Sequence, residues 1–487
     1  MKFTAVDEER VRGAAHSAME DLHLPGASIG VVSGDALVYA EGFGYADVES
    51  GRRHDPAARH RIGSITKTMT GLCVMALIDE GKLRLDDRLI DHITELSFDG
   101  DGAAITVRHL LTHTSGIAMV NRREDIFDPN ALLDSETRDD KDALALFPNG
   151  ITLEVPPGTK WCYANLGFAL LGEIVARIEG APIAEVMARR VFAPLGMSNS
   201  DLLDEPHPDL STPYHATQSQ ESIEYAIRKG QPLKHEAAVD GHNVRGHFRY
   251  LRGAGAYGAV QSNVPDMARY ASALLRNGAG IVRPQTFEAM TAAQWSPDER
   301  LISSGFAFER CERFGARMFG HNGWSAGDWS SVLLIIPTEN LALIIHANME
   351  FDRCAIFGRR VLAALLDAAP VTLRGEMDEA TLTAAPGVYS AIPGPLTNVW
   401  VSFNLGRLQI KAVEGALMLH SRYGPWRNGV RLRPGDLNDL NFLLMDDNEL
   451  EPSHLRLLRD ASGSVTGLRC DRLIQMVRSD HVAPWVV

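Results

Sequence analysis

Ser64 and Lys67, in Gly63-Ser64-Ile65-Thr66-Lys67, form the only S-x-x-K in the 487-residue chain. Positions i and i+3 share one face of a helix, so an amine on the next turn lies within reach of the serine hydroxyl. Serine alone is a weak nucleophile near neutral pH, but a lysine whose ammonium is destabilised by burial or neighbouring charge can take its proton. The pair reads as an activated acyl acceptor, against the plainer reading of Ser64 as an N-cap and Lys67 as a solvated side chain. Tyr163-Ala164-Asn165 offers a phenol whose pKa a cationic lysine could draw down far enough for it to act as base and then acid. His321-Asn322-Gly323, the only H-x-G, is followed by Trp324. Its glycine lets a strand edge approach a substrate closely, and the next backbone N–H can then help to bind an oxyanion. Tyr270-Ala271-Ser272 competes with Tyr163, but the apolar spacing from Pro265 to Leu275 is helical, which makes Tyr270 a packed or surface residue.

Serine with lysine, tyrosine with asparagine, and a basic residue two before a glycine, in that order, resemble the penicillin-recognising serine hydrolases. The branch most similar includes class C β-lactamases, D-aminopeptidases and family VIII carboxylesterases. The likeness extends to His109-Leu110-Leu111-Thr112-His113-Thr114-Ser115-Gly116, to Ala193-Pro194-Leu195-Gly196-Met197, and to Gly255-Ala256-Tyr257-Gly258 through Asp266. It covers roughly residues 5 to 367. It implies an α+β fold, an antiparallel sheet flanked by helices plus an all-α subdomain, with the active site between them. It also implies roles: Ser64 as nucleophile, Lys67 and Tyr163 sharing base and acid work, and Asn165 positioning Lys67 or a substrate amide. His321 would polarise the Tyr163 hydroxyl or hold a polar substrate group. The Ser64 and Trp324 N–H groups would form the oxyanion hole, with Gly323 giving the close approach. Neither a metal nor an organic cofactor is called for. One departure matters. Class C β-lactamases and most penicillin-binding proteins carry Lys-Thr-Gly where this chain has His321-Asn322-Gly323. A histidine with an ordinary pKa of about 6.5 is mostly neutral at cytosolic pH, so strong recognition of a β-lactam carboxylate is not expected.

These groups need elements to hold them. Residues 7 to 23 have helical periodicity, and Ala27 to Val32 and Leu37 to Ala40 flank Ser33-Gly34-Asp35-Ala36 as a hairpin. Ser64 to Glu80 reads as a buried helix stopped at Gly81. A helix from Gly167 to Glu179 closes at Gly180 and leaves Tyr163-Ala164-Asn165 on the loop entering it. Ser330 to Ile336 and Leu341 to Ala347 form a hairpin across Pro337-Thr338-Glu339-Asn340, and residues 354 to 367 a helix packed on the sheet. Residues 121 to 150 and 201 to 250, with Arg122-Arg123-Glu124-Asp125 and later His242, Arg245, His247, Arg249 and Arg252, read as solvated insertions or as a rim around the cleft.

The texture changes after about residue 375. Val399 to Phe403, Arg407 to Ile410, Ala416 to Leu419, Phe442 to Met445 and Leu455 to Leu457 are short alternating runs between turn residues, as in an antiparallel sheet or small barrel. Gly387-Val388-Tyr389 resembles the opening of lipocalin-like barrels appended to some relatives. Two domains are expected: residues 1–370 catalytic, and residues 376–487 a β-rich domain that is purely structural, homo-oligomerising, or sends a loop to the cleft.

A net charge of -14 and a pI near 5.7 oppose binding to nucleic acid and anionic membrane surfaces. Met1 to Arg10 has no apolar h-region and no later stretch approaches the roughly 20 apolar residues of a membrane span, so neither export nor anchoring is expected. Cys73, Cys162, Cys311, Cys354 and Cys470 are scattered, with no C-x-x-C, which suits reduced thiols in the cytoplasm. The expected activity is a serine hydrolase working through an acyl-enzyme. A peptidase or amidase for small or unusual peptides, D-residue or linear non-ribosomal, comes first. A carboxylesterase follows, and then a β-lactamase or a non-turnover penicillin-binding sensor.

Overall fold

β-branched and aliphatic runs build an eight-stranded, wholly antiparallel sheet from β1 (Gly26–Ser33), β2 (Ala36–Asp47), β3 (Arg52–Arg53), β4 (Ser303–Ser304), β5 (Glu309–Arg313), β6 (Ala316–Ser325), β7 (Trp329–Ile336) and β8 (Leu341–Ala347). The order is β4-β5-β6-β7-β8-β1-β2-β3, so the first and last segments of this region meet in the middle. The computed structural model describes residues 3–119, 134–135, 142–216, 238–251, 253–296, 298, 300–325, 329–369, 375–392, 406–422, 426–436, 438–447, 452–470 and 475–478. The Arg122 to Asp125 cluster, Arg252 and the Val399 to Phe403 run fall outside them.

Helix α1 (Ala5–Asp21) begins at a capping box in which Thr4 and Asp7 each satisfy the other's backbone N–H. It lies with α5 (Phe351–Leu365) on one face of the sheet, burying Val11, Ala15 and Phe357 against Ile29, Leu343 and Ile345. The other face carries α2 (Thr66–Asp79), α3 (Asn165–Glu179) and α4 (Val264–Leu275), packed on Val32, Leu333 and Ile344. Both hairpins lie where the sequence places them. The expected helices at 7–23 and 354–367 begin two or three residues earlier than periodicity suggests, α1 because it starts at the Thr4 capping box and α5 because Phe351 already belongs to its first turn.

Eight further strands close into a barrel: β9 (Gly387–Ile392), β10 (Leu408–Val413), β11 (Ala416–Ser421), β12 (Val430–Pro434), β13 (Phe442–Met445), β14 (His454–Arg459), β15 (Val465–Cys470) and β16 (Gln475–Arg478). Alternate residues fill it, Leu408, Ile410, Leu417, Leu419, Leu432, Leu443, Leu455, Leu457 and Leu468 among them. The barrel touches the region that holds the eight-stranded sheet through ion pairs. Arg300 reaches Asp436 and Asp439, and Arg456 reaches Asp298.

Polar side chains are also buried at the sheet. His346 on β8 stands between Ser28 of β1 and Ser331 of β7 and stacks on His60 with ring centroids 5.0 Å apart. His54 Nδ1 lies 2.6 Å from Ser28 Oγ, and His60 bonds Ser211 Oγ and the Ser330 carbonyl. Among the described residues neither ring nitrogen of His346 has a hydrogen-bond partner, nor has His54 Nε2.

Candidate active site

Ser64 lies in a 3-10 turn, Gly63–Ile65, that runs directly into α2. In such a turn i and i+3 eclipse, which brings Lys67 squarely onto the serine. α2 is buried from Thr66 to Leu77, and its polar side chains are each satisfied. Thr68 donates to the Ile65 carbonyl, Thr70 to the Ala256 carbonyl, and Thr66 Oγ1 accepts from Val260 N. Lys67 is fully buried, and its Nζ lies 2.9 Å from Ser64 Oγ and 2.7 Å from the Tyr257 carbonyl. Burial pushes its pKa well below the ordinary lysine value, with only the Glu309 charge opposing. The Tyr163, Tyr257 and Phe168 rings surround the amine. The solvated alternative for Lys67 therefore fails. The sequence also missed a function for Tyr257, whose carbonyl orients the amine.

Two glycines bring the third motif to the serine. Gly63 has φ +53°, and a Cβ there would lie 2.5 Å from Trp324 N, while one on Gly323 would collide with the Ile62 carbonyl. Only without those side chains can β6 press its backbone against the Ser64 turn. Trp324 N–H thus stands beside Ser64.

Tyr163 donates its hydroxyl to Ser64 Oγ at 2.9 Å. Its pKa is raised by burial, not lowered, because the lysine expected to pull it down is itself held away from its charged form. Tyr270 is a packed residue: fully buried, its hydroxyl 2.7 Å from Thr68 Oγ1 and directed into the core. Asn165 is the first residue of α3 rather than a loop residue, and its Oδ1 is buried with no partner among the described residues, as are Trp161 Nε1 and Ser325 Oγ.

His113 holds the tyrosine in place. Its carbonyl accepts from Cys162 N at 2.6 Å and its Nδ1 from Ala164 N at 3.2 Å, so its main chain and ring bracket Tyr163. The rings of His113 and Tyr163 stack with centroids 4.4 Å apart. An accepting Nδ1 places the proton of the neutral ring on Nε2, and burial keeps the ring neutral. His113 has φ +56°, a conformation unfavourable for a residue with a Cβ. The His109 to Gly116 stretch marks its neighbourhood in the sequence, but spacing alone gives no sign of a left-handed histidine.

His321 is buried, with its ring 6.3 Å from that of Tyr163 and Nδ1 2.6 Å from the Asn322 carbonyl, so Nδ1 carries a hydrogen. Burial lowers its pKa, the Glu309 charge opposes and Lys67 assists. It is therefore neutral to lower pH than an ordinary histidine. Among the described residues no group of three or more His, Cys, Asp or Glu could hold a metal ion, and no helix is long and apolar enough to cross a membrane.

The beta-lactamase family model matches residues 11–365. Protein flp of Staphylococcus aureus (strain COL) is 24% identical over 356 residues, covering 72% of this chain, and the chain spans only 65% of that relative's length. Among solved structures, the octameric penicillin-binding protein homologue from Pyrococcus abyssi superposes with a TM-score of 0.61 at 22% identity, over 97% of this chain and 100% of that one. The D-amino acid amidase from Ochrobactrum anthropi SV3, in complex with L-phenylalanine, has a TM-score of 0.61 at 20% identity, over 74% of this chain and 99% of that one. At these identities the two structures establish a shared fold.

Proposed function

The chain belongs to the beta-lactamase family, and on that premise we propose that it is a serine hydrolase working through an acyl-enzyme on Ser64. Its substrates would be amide bonds of small or unusual peptides, those with D-residues or linear non-ribosomal ones. The carrying observation is that Ser64 Oγ sits 2.9 Å from both a water-stripped lysine amine and a tyrosine hydroxyl. Neutral Lys67 takes the Ser64 proton as Oγ bonds to the substrate carbonyl carbon, and the oxyanion lies between the Ser64 and Trp324 N–H groups. The new ammonium, near the Tyr163 ring, lowers the cost of ionising the phenol, which gives its proton to the leaving amine. In deacylation the phenolate takes a proton from water and the ammonium returns one to Ser64 Oγ, restoring both groups. Asn165 Oδ1 is left to accept a substrate N–H.

The D-amino acid amidase among the structural neighbours supports the amide reading. Neutral His321 supports a second reading, a carboxylesterase, since it gives no charge to anchor a carboxylate. We further propose residues 1–370 as the catalytic domain, residues 376–487 as a separate β-domain, and a cytoplasmic location, which the five free cysteines support.

The test is Ser64→Ala, with hydrolysis of D- and L-aminoacyl p-nitroanilides and p-nitrophenyl esters as readout. Turnover and fluorophosphonate labelling should both vanish while the fold persists. Activity in the variant would remove Ser64 from the chemistry. A single equivalent of product with no further turnover would indicate a sensor, and rapid nitrocefin turnover a lactamase.

A further inference from the structure

Where the barrel meets the catalytic region, two cations share one uncharged oxygen. Lys160 Nζ donates to Gln475 Oε1 at 3.3 Å, and Arg469 Nη2 donates to the same atom at 3.2 Å. Arg469 on β15 and Gln475 on β16 are register partners, so the barrel presents them side by side. All three side chains are partly buried. An amide oxygen can accept both hydrogen bonds but neutralises neither charge.

Neighbouring cations are neutralised. Arg456 bridges Asp298 and Asp439, and Arg300 contacts both of those and Asp436. Among the described residues, Lys160 and Arg469 form no ion pair with a carboxylate, and both hydrogen-bond to Gln475. Burial and the nearby Arg456 charge disfavour the charged Arg469, and the charge of Asp298, a carboxylate already engaged by Arg300 and Arg456, offsets them only in part. In the chain this place lies close to Tyr163. Lys160 precedes Tyr163 by three residues, a span of at most about 10 Å. Between them Trp161 sets its ring 5.9 Å from Tyr163, with Nε1 buried and unpartnered among the described residues.

We propose that Lys160, Arg469 and Gln475 form an anion subsite that takes a carboxylate borne by the substrate at the far end of its acyl chain. A guanidinium grips a carboxylate through two parallel hydrogen bonds, an ammonium adds a third, and the Gln475 amide, turned over, donates from its nitrogen. Lys67 is engaged with Ser64 and His321 is uncharged, so a carboxylate entering the cleft finds these two cations unspent. The barrel would then read the substrate rather than only support the fold. The inference rests on the hydrolase reading and names the substrate class for it.

The test uses the full-length chain and p-nitrophenyl monoesters of glutaric, adipic and suberic acids, each against its methyl ester. Wild type is compared with Lys160→Gln, Arg469→Gln and Gln475→Glu. The glutamate places a carboxylate between the two cations while keeping their hydrogen bonds, so it preserves barrel docking and fills the subsite from within. In wild type the free acid should be preferred in kcat/KM by about tenfold for at least one chain length, less so as salt is raised. In each variant the ratio should fall to within about twofold of unity. No preference at any length, or a preference that survives in Gln475→Glu, overturns the subsite. If no ester turns over and Ser64 resists fluorophosphonate, the hydrolase reading fails instead. Suberate binding by calorimetry then decides: binding to wild type and not to Gln475→Glu upholds the subsite, and equal or absent binding refutes it.

Discussion

Acidification should destabilise this fold before its carboxylates begin to titrate, because of the buried histidines. Burial is the main cause of low pKa values at His54, His60 and His346, with the neighbouring imidazoles contributing at His60 and His346, and Arg52 and Asp55 acting in opposite senses at His54. His54 and His346 are each brought down to about 3. Above about pH 6.5 these rings are neutral in both folded and unfolded chains and add no pH dependence. Below it the unfolded chain binds protons that the folded one refuses, so stability falls with pH until the folded values are reached. The slope is about 1.4 kcal/mol per pH unit for each histidine. From about pH 7.5 to 5, His54 and His346 together should remove about 4 kcal/mol, a large part of a typical margin of about 5–15 kcal/mol. Glu80 and Glu179, held down to about 2 mainly by Arg190, lose their contribution only below the ordinary carboxylate range, so the two windows separate. The assay is urea unfolding by tryptophan fluorescence from about pH 7.5 to 5. His346→Leu removes one buried base and, among the described residues, no hydrogen bond. It should make the acid loss smaller by about 2 kcal/mol. An unchanged loss in the variant would mean that these rings become charged in the folded protein, and would refute the reasoning.

Tyr163→Phe should lower kcat by about 10²- to 10⁴-fold, as expected for a lost proton donor. Tyr270→Phe should leave kcat near wild type and cost about 1 kcal/mol of stability through the lost bond to Thr68, measured by denaturation. His113→Asn keeps a residue tolerant of positive φ but removes the ring that stacks on Tyr163. It should reduce kcat by about tenfold or more and shift the pH profile of kcat, with little change in KM. His321→Lys should raise the preference for substrates or β-lactams bearing a carboxylate near the scissile bond by about tenfold and slow neutral esters. The ratio for a free acid and its methyl ester decides it, and an unchanged ratio means that His321 does not face that carboxylate.

The sequence makes the reacting groups readable because each depends on a short, rigid spacing. Ser64 and Lys67 need only one turn, and the structure brings Tyr163 and the His321 to Trp324 strand onto them. What was not readable depends on contacts between distant segments. Tyr163 reads in isolation as a phenol made acidic by a lysine, yet burial of both groups reverses that direction. His113 has its role only because an unfavourable φ turns its ring under Tyr163. β12, β15 and β16 are not legible because polar residues or glycine break up their few apolar ones: arginine in Val430-Arg431-Leu432-Arg433, Thr466, Gly467 and Arg469 in β15, Gln475 and Arg478 in β16.

The place of β1 in the sheet has a consequence during synthesis. It pairs on one side with β2, made immediately after it, and on the other with β8, Ile29 opposite Ile345. Until β8 leaves the ribosome, β1 is an open edge of aliphatic residues whose final neighbour does not yet exist, the arrangement most prone to pair with another chain. The turn at Ser64 is made early and the Trp324 strand that closes on it late, so a nascent chain cannot bring the two together before most of the sheet-bearing region has emerged. Such long-range closure is intrinsically slow. Truncation anywhere between α4 and β8 would therefore yield a fragment with an aggregation-prone edge in which Ser64 never meets the Trp324 strand.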